Sequence, residues 1–263
     1  MKKYYSAICL ITRDENEYLQ EWIRHHLSIG FEHIYIYDHN NKEPIEETIR
    51  KKLKKSEREY ISVINWGGRH NHAQGEAYEH CLKNYGGNCR WIAFIDTDEF
   101  IVLHKHNNIN DFLKNYEDYG GVYMNWIMFN ANNQEKKSYK PVMERFTEIC
   151  PDFQQYGKLI VNPDLVRKQY IHEADYYGGY NTVDENKNVV IGRRHPYHTN
   201  LIQCNHYYTK SWEEWKQKIS RGSADSYFGR NLREFFIYNP NMKYLDDGTD
   251  YFQIYERNVK ESK

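Results

Sequence analysis

The sequence predicts an α/β fold in which a mainly parallel sheet carries helices on its faces. In residues 1–100, short apolar segments alternate with segments whose apolar residues recur at helical spacing. This alternation is typical of parallel strands that are joined by helices. The chain has 263 residues, 40% of them hydrophobic, which is enough to bury the core of one large domain.

The predicted elements of residues 1–100 follow one another in strict alternation. The strands are expected at 7–12, 33–38, 60–65 and 91–96, and the helices at 14–30, from Pro44 onward and at 73–87. Gly30 suits the end of a helix, and Pro44 suits a first helical turn. The strands end in polar residues, namely Thr12, Asp38, Asn65 and Asp96. Because α/β sheets bind ligands beyond the carboxyl ends of their strands, we expect the functional site there.

The pattern changes after Gly120. Strands are predicted at 121–129, 158–162 and 201–209, but the connections between them are irregular and rich in Asn, Tyr and His. A helix is expected at 211–219, where Ser211 and Glu214 have the spacing of a capping box. We find no internal repeat and no clear linker. The sequence therefore predicts one domain over 1–222, with halves 1–100 and 101–222, and a helical extension over 223–263.

Charge and composition exclude several classes of protein. Lys and Arg number 36 against 37 for Asp and Glu, so no basic field indicates a nucleic-acid partner. The apolar stretch after Met1 is too short for a membrane span and is followed by no signal-peptide cleavage site. The 5 cysteines are scattered and favour a reducing compartment. We expect a cytoplasmic protein with at most peripheral contact with the inner membrane.

The segment WIAFIDTDEF, residues 91–100, ends a buried strand in crowded acids. Asp96, Asp98 and Glu99 would repel one another without a positive partner, and a divalent cation takes oxygen ligands. A P-loop enzyme is disfavoured because no GxxxxGK[ST] motif is present. A phosphatase with an aspartyl-phosphate intermediate is disfavoured because Glu99, rather than Thr or Gly, follows the second aspartate. A DxD motif that holds a metal against a nucleotide-sugar diphosphate fits best.

Several segments, in order along the chain, resemble glycosyltransferase family 92, a family with the GT-A fold. The segment DENEYLQEWIRHHLSIGFEHIYIYDHNN (14–41) is similar to the opening of the family, and RWIAFIDTDEF (90–100) to its metal motif. MERFTEI (143–149) and NHYYTKSWEEWKQKISRG (205–222) resemble its ERF segment and its closing segment. Asp14 departs from the family's Asn, and residues 129–140 replace a Gly/Ser-rich loop that would face the acceptor.

The resemblance implies a metal-dependent, inverting glycosyltransferase. It would transfer a sugar from a UDP-sugar, bound by residues 1–100, to a glycan or glycolipid acceptor, bound by residues 101–222. The implied metal ligands are Asp96, Asp98 and His206. An imidazole ligand suits Mn²⁺ better than Mg²⁺. His206 could instead be a packed core residue, and His172, His195 and His198 are the alternative ligands.

The resemblance also implies donor contacts at the ends of the strands and on later cations. These are Thr12, Asp14, Glu15, Asp38, Gln74, Asp96, Lys158 and Lys210. Helix capping explains Asp14 and Glu15 equally well, because acids are favoured in a first helical turn. Lys158, Lys210 and Arg221 are the cations that would meet phosphate or the acceptor, although each could also be a surface residue.

The catalytic base is expected to be a carboxylate that deprotonates the acceptor hydroxyl. Glu144 is the first choice, since it follows the loop assigned to the acceptor, and Asp225 is the second. An ion pair between Glu144 and Arg145 that only holds a loop is the competing explanation for Glu144.

Two other functions remain open. A sugar nucleotidyltransferase shares the fold class, but it would need a Gly-rich loop after the first strand, which TRDENE (12–17) lacks. A non-catalytic carbohydrate-binding protein would use stacked tryptophans, for which Trp66, Trp126, Trp212 and Trp215 are the candidates. The expected setting is the synthesis of a bacterial surface polysaccharide or lipooligosaccharide.

Overall fold

The computed structural model describes residues 2–68, 72–150, 155–222 and 230–242. Its centre is a 9-stranded sheet, beside which lies a separate two-stranded hairpin. In chain order the strands are β1 (Tyr4–Thr12), β2 (His33–Asp38), β3 (Ile61–Asn65), β4 (Cys89–Phe94), β5 (Glu99–Leu103), β6 (Gly121–Met128), β7 (Gly157–Val161), β8 (Val166–Gln169), β9 (Ala174–Tyr176), β10 (Thr182–Val183) and β11 (Ile202–His206).

The strand order in the sheet is β3-β2-β1-β4-β7-β6-β11-β5, with β10 beside β6, and β8 and β9 form the hairpin. The first four strands run parallel, and β11 and β10 run parallel to β6. Strands β7 and β5 are antiparallel to their neighbours. The order 3-2-1-4 places the carboxyl ends of β1 and β4 side by side at the centre of the sheet.

Helices cover both faces of the sheet. They are α1 (Leu19–Ser28), α2 (Ile45–Lys52), α3 (Lys55–Arg58), α4 (Ala73–Tyr85), α5 (Ile109–Leu113), α6 (Val142–Arg145), α7 (Trp212–Arg221) and α8 (Leu232–Tyr238). The predicted class is confirmed: a mainly parallel α/β sheet flanked by helices, as expected for a GT-A fold.

The alternation of β1 shows why helices are needed on both faces. Ile8 and Leu10 are buried in the cluster that contains Trp22 of α1. Ala7 and Cys9 are buried in a second cluster with Tyr78 of α4. A strand with apolar residues on both faces must be covered on both faces, which is typical of parallel sheets.

The helix predicted at 14–30 begins later, at Leu19. Asp14 has a φ of 51°, in the left-handed region, so the chain turns before the helix starts. This turn leaves Glu15 buried beside the end of β1 rather than on a helix surface.

Strand β5 was not predicted, and it has a direct consequence for the site. It follows the acidic turn after β4 and pairs antiparallel with β11, in a register that sets Glu99 opposite His206. This pairing brings a residue from late in the chain to the DxD turn. A 5-residue strand that starts in an acid gives no recognisable signal in the sequence.

Helix α8 packs on α7. Trp212 and Trp215 of α7 form a small apolar cluster with Phe235 and Phe236 of α8. Because residues 223–229 and 243–263 lie outside the description, the boundary after residue 222 stays a prediction. Within the described ranges, every helix is too short or too polar to span a membrane.

Candidate active site

A cavity of about 270 Å³ opens at the carboxyl ends of β1 and β4, where the strand order predicts a ligand site. We call it the central cavity. Of the predicted site residues, it brings together Thr12, Glu15, Gln74, Asp96, Asp98 and His206. These residues come from separate parts of the chain, so the cavity exists only in the folded protein.

The acids of the DxD turn are compensated by lysines. The Lys158 ammonium, on β7 and fully buried, lies 2.9 Å from Asp96 Oδ2 and 3.7 Å from Glu99 Oε2. Gln74 donates to the other Asp96 oxygen at 2.7 Å. Asp96 therefore lines the cavity with its carboxylate already held on both sides, whereas Lys158 lies beneath the cavity and not in its wall.

Glu99 orients the turn rather than facing the cavity. Its Oε2 accepts a hydrogen bond from the Asp96 amide at 2.9 Å. Burial raises the pKa of Glu99 well above its usual range, and the Lys158 ammonium offsets this only in part. Burial disfavours the charged form of Lys158 too, but Asp96 and Glu99 outweigh it and raise the Lys158 pKa. Lys158 is thus a permanent positive charge under the turn.

Asp98 lies buried between a lysine and a histidine. Lys218 Nζ donates to Asp98 Oδ2 at 2.5 Å, and His206 Nε2 lies 3.7 Å from Asp98 Oδ1. Burial alone would raise the pKa of Asp98, but the Lys218 ammonium and His206 hold it well below the usual range. Asp98 is consequently an anion at neutral pH.

His206 packs at a ring-centroid distance of 4.3 Å from Trp126, and its Nδ1 has no hydrogen-bond partner among the residues that the structure describes. Burial lowers the pKa of His206, and Asp98 opposes this only in part, so the ring is neutral at pH 7. A neutral imidazole and a carboxylate are both metal ligands. Two atoms that each bind one shared ion at about 2.1 Å lie about 3.0–3.6 Å apart. The Asp98–His206 separation of 3.7 Å lies just beyond this range, so the two groups would have to approach each other slightly to share an ion, with Lys218 as a competitor for Asp98.

Cations make up much of the remaining wall. Arg13, Lys218, Arg221 and Arg230 line the central cavity. Arg221 donates to Glu15 at 2.6 Å, and Lys210 lies 3.4 Å from the same carboxylate. The lining cations outnumber the carboxylates of Glu15, Asp96 and Asp98, so the cavity favours an anionic ligand.

The sequence reasoning missed Arg13, Lys218 and Arg230. Lys218 and Arg221 are three positions apart on α7, and residues at that spacing share a helix face. Pairing Lys218 with the already suspected Arg221 would therefore have identified it. Arg13 and Arg230 stand in irregular segments, where no periodicity marks the side that they face.

Some predicted donor contacts lie elsewhere. Asp14 and Lys210 line a neighbouring cavity of about 470 Å³, which we call the side cavity and which shares Arg13, Glu15, Lys218 and Arg221 with the central one. Asp38 lines neither cavity. Its carboxylate accepts from the amide of Ile45, the first residue of α2, at 2.9 Å and from Asn41 at 2.6 Å. Asp38 therefore caps the first amide of α2 instead of facing a ligand.

The residues predicted to face the acceptor lie away from the central cavity where the structure describes them. Glu144 is exposed on α6 and does not line the central cavity. Arg145 pairs with Glu214 of α7 at 2.5 Å instead of with Glu144.

The loop 129–140 packs against the start of α7, where the Trp212 amide donates to the Gln134 carbonyl at 3.1 Å. No residue of that loop lines the central cavity, because the contacts with α7 hold it to one side. Asp225 lies outside the described residues.

The three histidines named as alternative metal ligands lie in two different places. His172 lines the central cavity and packs edge-on against Trp126 at 5.1 Å. His195 and His198 do not line it and meet Asp184 instead.

Among the tryptophans suggested for sugar stacking, Trp126 lines the cavity, whereas Trp66, Trp212 and Trp215 are at most 6% exposed. Buried rings cannot stack on a ligand, so the tryptophan argument for a binding protein is weakened.

The comparisons with known proteins agree with the resemblance. The sequence profile of glycosyltransferase family 92 matches residues 2–236. A family 92 protein from Ricinus communis is 25% identical over 232 residues, and one from Oryza sativa subsp. japonica is 27% identical over 222 residues. The alignments cover 85% and 83% of this chain but 39% and 36% of the relatives. The chain thus spans less than two fifths of the length of these relatives.

Among solved structures, HddC from Yersinia pseudotuberculosis is similar with a TM-score of 0.41 and 10% identity, covering 69% of this chain and 90% of HddC. That likeness is weak and adds nothing to the assignment. The profile match extends over nearly all of the chain and includes the acidic turn, the late histidine and helix α7. The chain belongs to glycosyltransferase family 92.

Proposed function

We propose that the chain transfers a sugar, with inversion, from a UDP-sugar to a hydroxyl of a glycan or glycolipid acceptor, and that a divalent metal assists. The observation that carries the proposal is the meeting of Asp98 and His206 in a cationic cavity at the carboxyl ends of β1 and β4. This is where an α/β sheet binds its ligand.

The diphosphate would be bound by the lining cations. Arginine guanidinium groups donate paired hydrogen bonds to phosphate oxygens, which favours Arg13, Arg221 and Arg230 as diphosphate contacts. Burial lowers the pKa of Lys218 to about 8, with Asp98 opposing the shift, so most of Lys218 is protonated at pH 7. It would supply a further positive charge close to Asp98.

Asp98 and His206 would hold Mn²⁺ or Mg²⁺, which supplies a charge that neutralises the departing diphosphate. Asp96 would bind the ribose or the ion from a position that Lys158 and Gln74 hold fixed. Thr12 lines the cavity and would contact the nucleoside. Its hydroxyl accepts a hydrogen bond at 3.1 Å from Thr97, which lies in the same wall. The side cavity, with Asp14 and Lys210, offers room for a further part of the donor.

For the base, the exposure of Glu144 favours the second candidate, Asp225, which lies outside the described residues. The residues on either side of its segment, Gly222 and Arg230, both line the central cavity. Glu144 is exposed and lies outside the cavity wall. A base has to come within hydrogen-bond reach of the acceptor hydroxyl, about 2.6–3.2 Å in the reacting complex.

The setting in bacterial surface-glycan synthesis stays a prediction from the sequence. The relatives named above are plant proteins, and they leave the donor sugar and the acceptor open.

The test is a screen of UDP-sugars for UDP release, with Mn²⁺, with Mg²⁺ and with chelator. We expect one donor to be hydrolysed slowly in a metal-dependent manner. Asp98→Asn and His206→Ala should abolish this release while retaining the wild-type melting temperature within a few degrees. Asp111→Asn is the matched control, because Asp111 is an exposed aspartate that pairs with exposed Lys114 on the surface.

Two outcomes would contradict the proposal. Full activity of Asp98→Asn in chelator would exclude the metal mechanism. Absence of UDP binding by calorimetry, together with binding of glycans, would favour a carbohydrate-binding protein instead.

A further inference from the structure

Away from the central cavity, one carboxylate and two imidazoles converge. Asp184 Oδ2 lies 2.9 Å from His195 Nε2 and 2.7 Å from His198 Nδ1, and all the potential ligand atoms lie within 4.8 Å of one another. Asp184 is 1% exposed, whereas the His198 side chain is 34% exposed. The cluster is therefore anchored on a buried acid and open to solvent on one side.

The carboxylate is held in place before any ligand arrives. Asp184 Oδ1 accepts from the amides of Asn186 at 2.9 Å and Asn188 at 2.8 Å, which closes the turn after β10. Only Oδ2 is directed to the histidines. Hydrogen bonds that orient a ligating group in this way are typical of metal sites.

The histidine segment is held by separate contacts. The His195 amide donates to the Gln155 carbonyl at 2.9 Å, and Asn125 Oδ1 of β6 accepts from the His198 amide at 3.3 Å. The rings lie 5.8 Å apart, nearly perpendicular to each other. These backbone contacts place both rings beside Asp184, and one nitrogen of each ring faces its Oδ2 atom.

The chemistry of this ligand set selects among ions. One carboxylate oxygen and two imidazole nitrogens suit Zn²⁺, which commonly takes His and Asp ligands. Ca²⁺ and Mg²⁺ prefer sites made of oxygen.

We propose that Asp184, His195 and His198 bind a zinc ion that fastens the segment 191–201 to the turn after β10. The next residue, Glu185, accepts from the amides of Asn200, Leu201 and Ile202 at 2.7–3.1 Å, where β11 begins. The ion would therefore stabilise the start of the strand whose other end carries His206.

This site is separate from the Asp98–His206 pair. None of its three residues lines the central cavity. The competing explanation is a site without metal, in which both imidazoles simply hydrogen-bond to Asp184, and it is one outcome of the test. The separations of 2.7 Å and 2.9 Å are hydrogen-bond distances, so an ion would have to move the three groups slightly apart.

The experiment uses the full chain with Asp98→Asn, which removes one of the metal ligands proposed for the central cavity. After exposure to Zn²⁺ and gel filtration, we expect this protein to retain about one zinc ion per chain. Adding His198→Ala should weaken zinc binding by at least about tenfold and should remove the zinc-dependent rise in melting temperature. His104→Ala, at an exposed histidine bonded to Gln203, is the matched control and should keep the zinc.

Two results would overturn the proposal. Asp98→Asn could retain no zinc and melt at the same temperature with zinc and with chelator. Alternatively, His198→Ala could bind zinc as tightly as its parent. If His198→Ala does not fold, His198→Gln and the zinc titration of the parent decide between the same outcomes.

Discussion

Glu15 shows how much a single buried side chain contributes at the residue scale. Sequence alone leaves it as either a donor contact or a helix cap. In the structure it is 5% exposed, and its carboxylate meets Arg221 at 2.6 Å and Lys210 at 3.4 Å. A buried charge of this kind persists only because it is paired, so Glu15 holds α7 and the residues before it to the end of β1.

The first prediction concerns the acid sensitivity that this pairing creates. Burial disfavours the Glu15 anion, but Arg221 and Lys210 prevail and lower its pKa from 4.5 to about 2. Because the folded-state pKa is below the unfolded one, the stabilisation is fully present above pH 4.5 and is lost as the pH falls through about 2. Its size is on the order of 3 kcal/mol.

The measurement is the free energy of unfolding of wild type and Glu15→Gln between pH 7 and pH 2. We expect Glu15→Gln to be the less stable protein at pH 7 and the gap to close as the pH falls. Glu17→Gln is a matched control, since Glu17 is partly exposed and pairs with Lys137 at the surface. A gap that stays the same at pH 6 and pH 2.5 would be inconsistent with a depressed Glu15 pKa.

At the scale of an element, α7 places Lys218 and Arg221 in the central cavity, and its start is locked in two ways. Ser211 and Glu214 form the predicted capping box, which is confirmed. Glu214 also forms a buried ion pair with Arg145 of α6, at 2.5 Å and 3.0 Å to its two oxygens. The Glu214 carboxylate thus takes part both in the cap of α7 and in the ion pair between α6 and α7.

The second prediction separates these two roles. Ser211→Ala removes only the cap and should lower the free energy of unfolding by about 1 kcal/mol. Glu214→Ala leaves Arg145 buried without its partner and should cost about 3–5 kcal/mol. Chemical denaturation of both variants, with Glu213→Ala as the control on the neighbouring position, measures the difference. Equal losses for Ser211→Ala and Glu214→Ala would show that the ion pair adds nothing to the cap.

At the scale of the whole molecule, the central cavity forms where the first four strands meet the later part of the chain. β1 and β4 supply Thr12 and the DxD turn, whereas β11 and α7 supply His206, Lys218 and Arg221. Gly222 and Arg230 line the same cavity on either side of the segment that contains Asp225. Glu144 is on the outside of the fold.

The third prediction asks which of the two candidate carboxylates is the base. Asp225→Asn should keep UDP binding but lower turnover by about 10²–10⁴-fold, the usual size of a general-base effect. Glu144→Gln, the matched control, should turn over like wild type. The turnover number and the Kd for the donor are measured separately for each variant. If Asp225→Asn turns over normally and Glu144→Gln loses turnover, the base is Glu144, the first choice from the sequence.

The sequence by itself determined the parts of this protein that depend on near neighbours in the chain. The alternating apolar segments predicted β1 to β4 and the helices between them, and the Ser211–Glu214 spacing predicted the start of α7. These signals are local because a strand pattern or a helix cap is complete within a few residues. The motifs added the family, and with it the DxD turn and the late histidine.

Only the tertiary structure decided which distant side chains contact one another. Lys158 is 62 residues from Asp96, and Lys218 is 120 residues from Asp98, so no local pattern could show that lysines compensate the acidic turn. The pairing of β5 with β11 decided that His206, rather than His195 or His198, approaches Asp98. Burial also sorted the acids, since Asp38 caps a helix whereas Glu15 lines the cavity. Such contacts arise because the sheet register and the packing of helices bring distant residues together, and neither is encoded in any short segment.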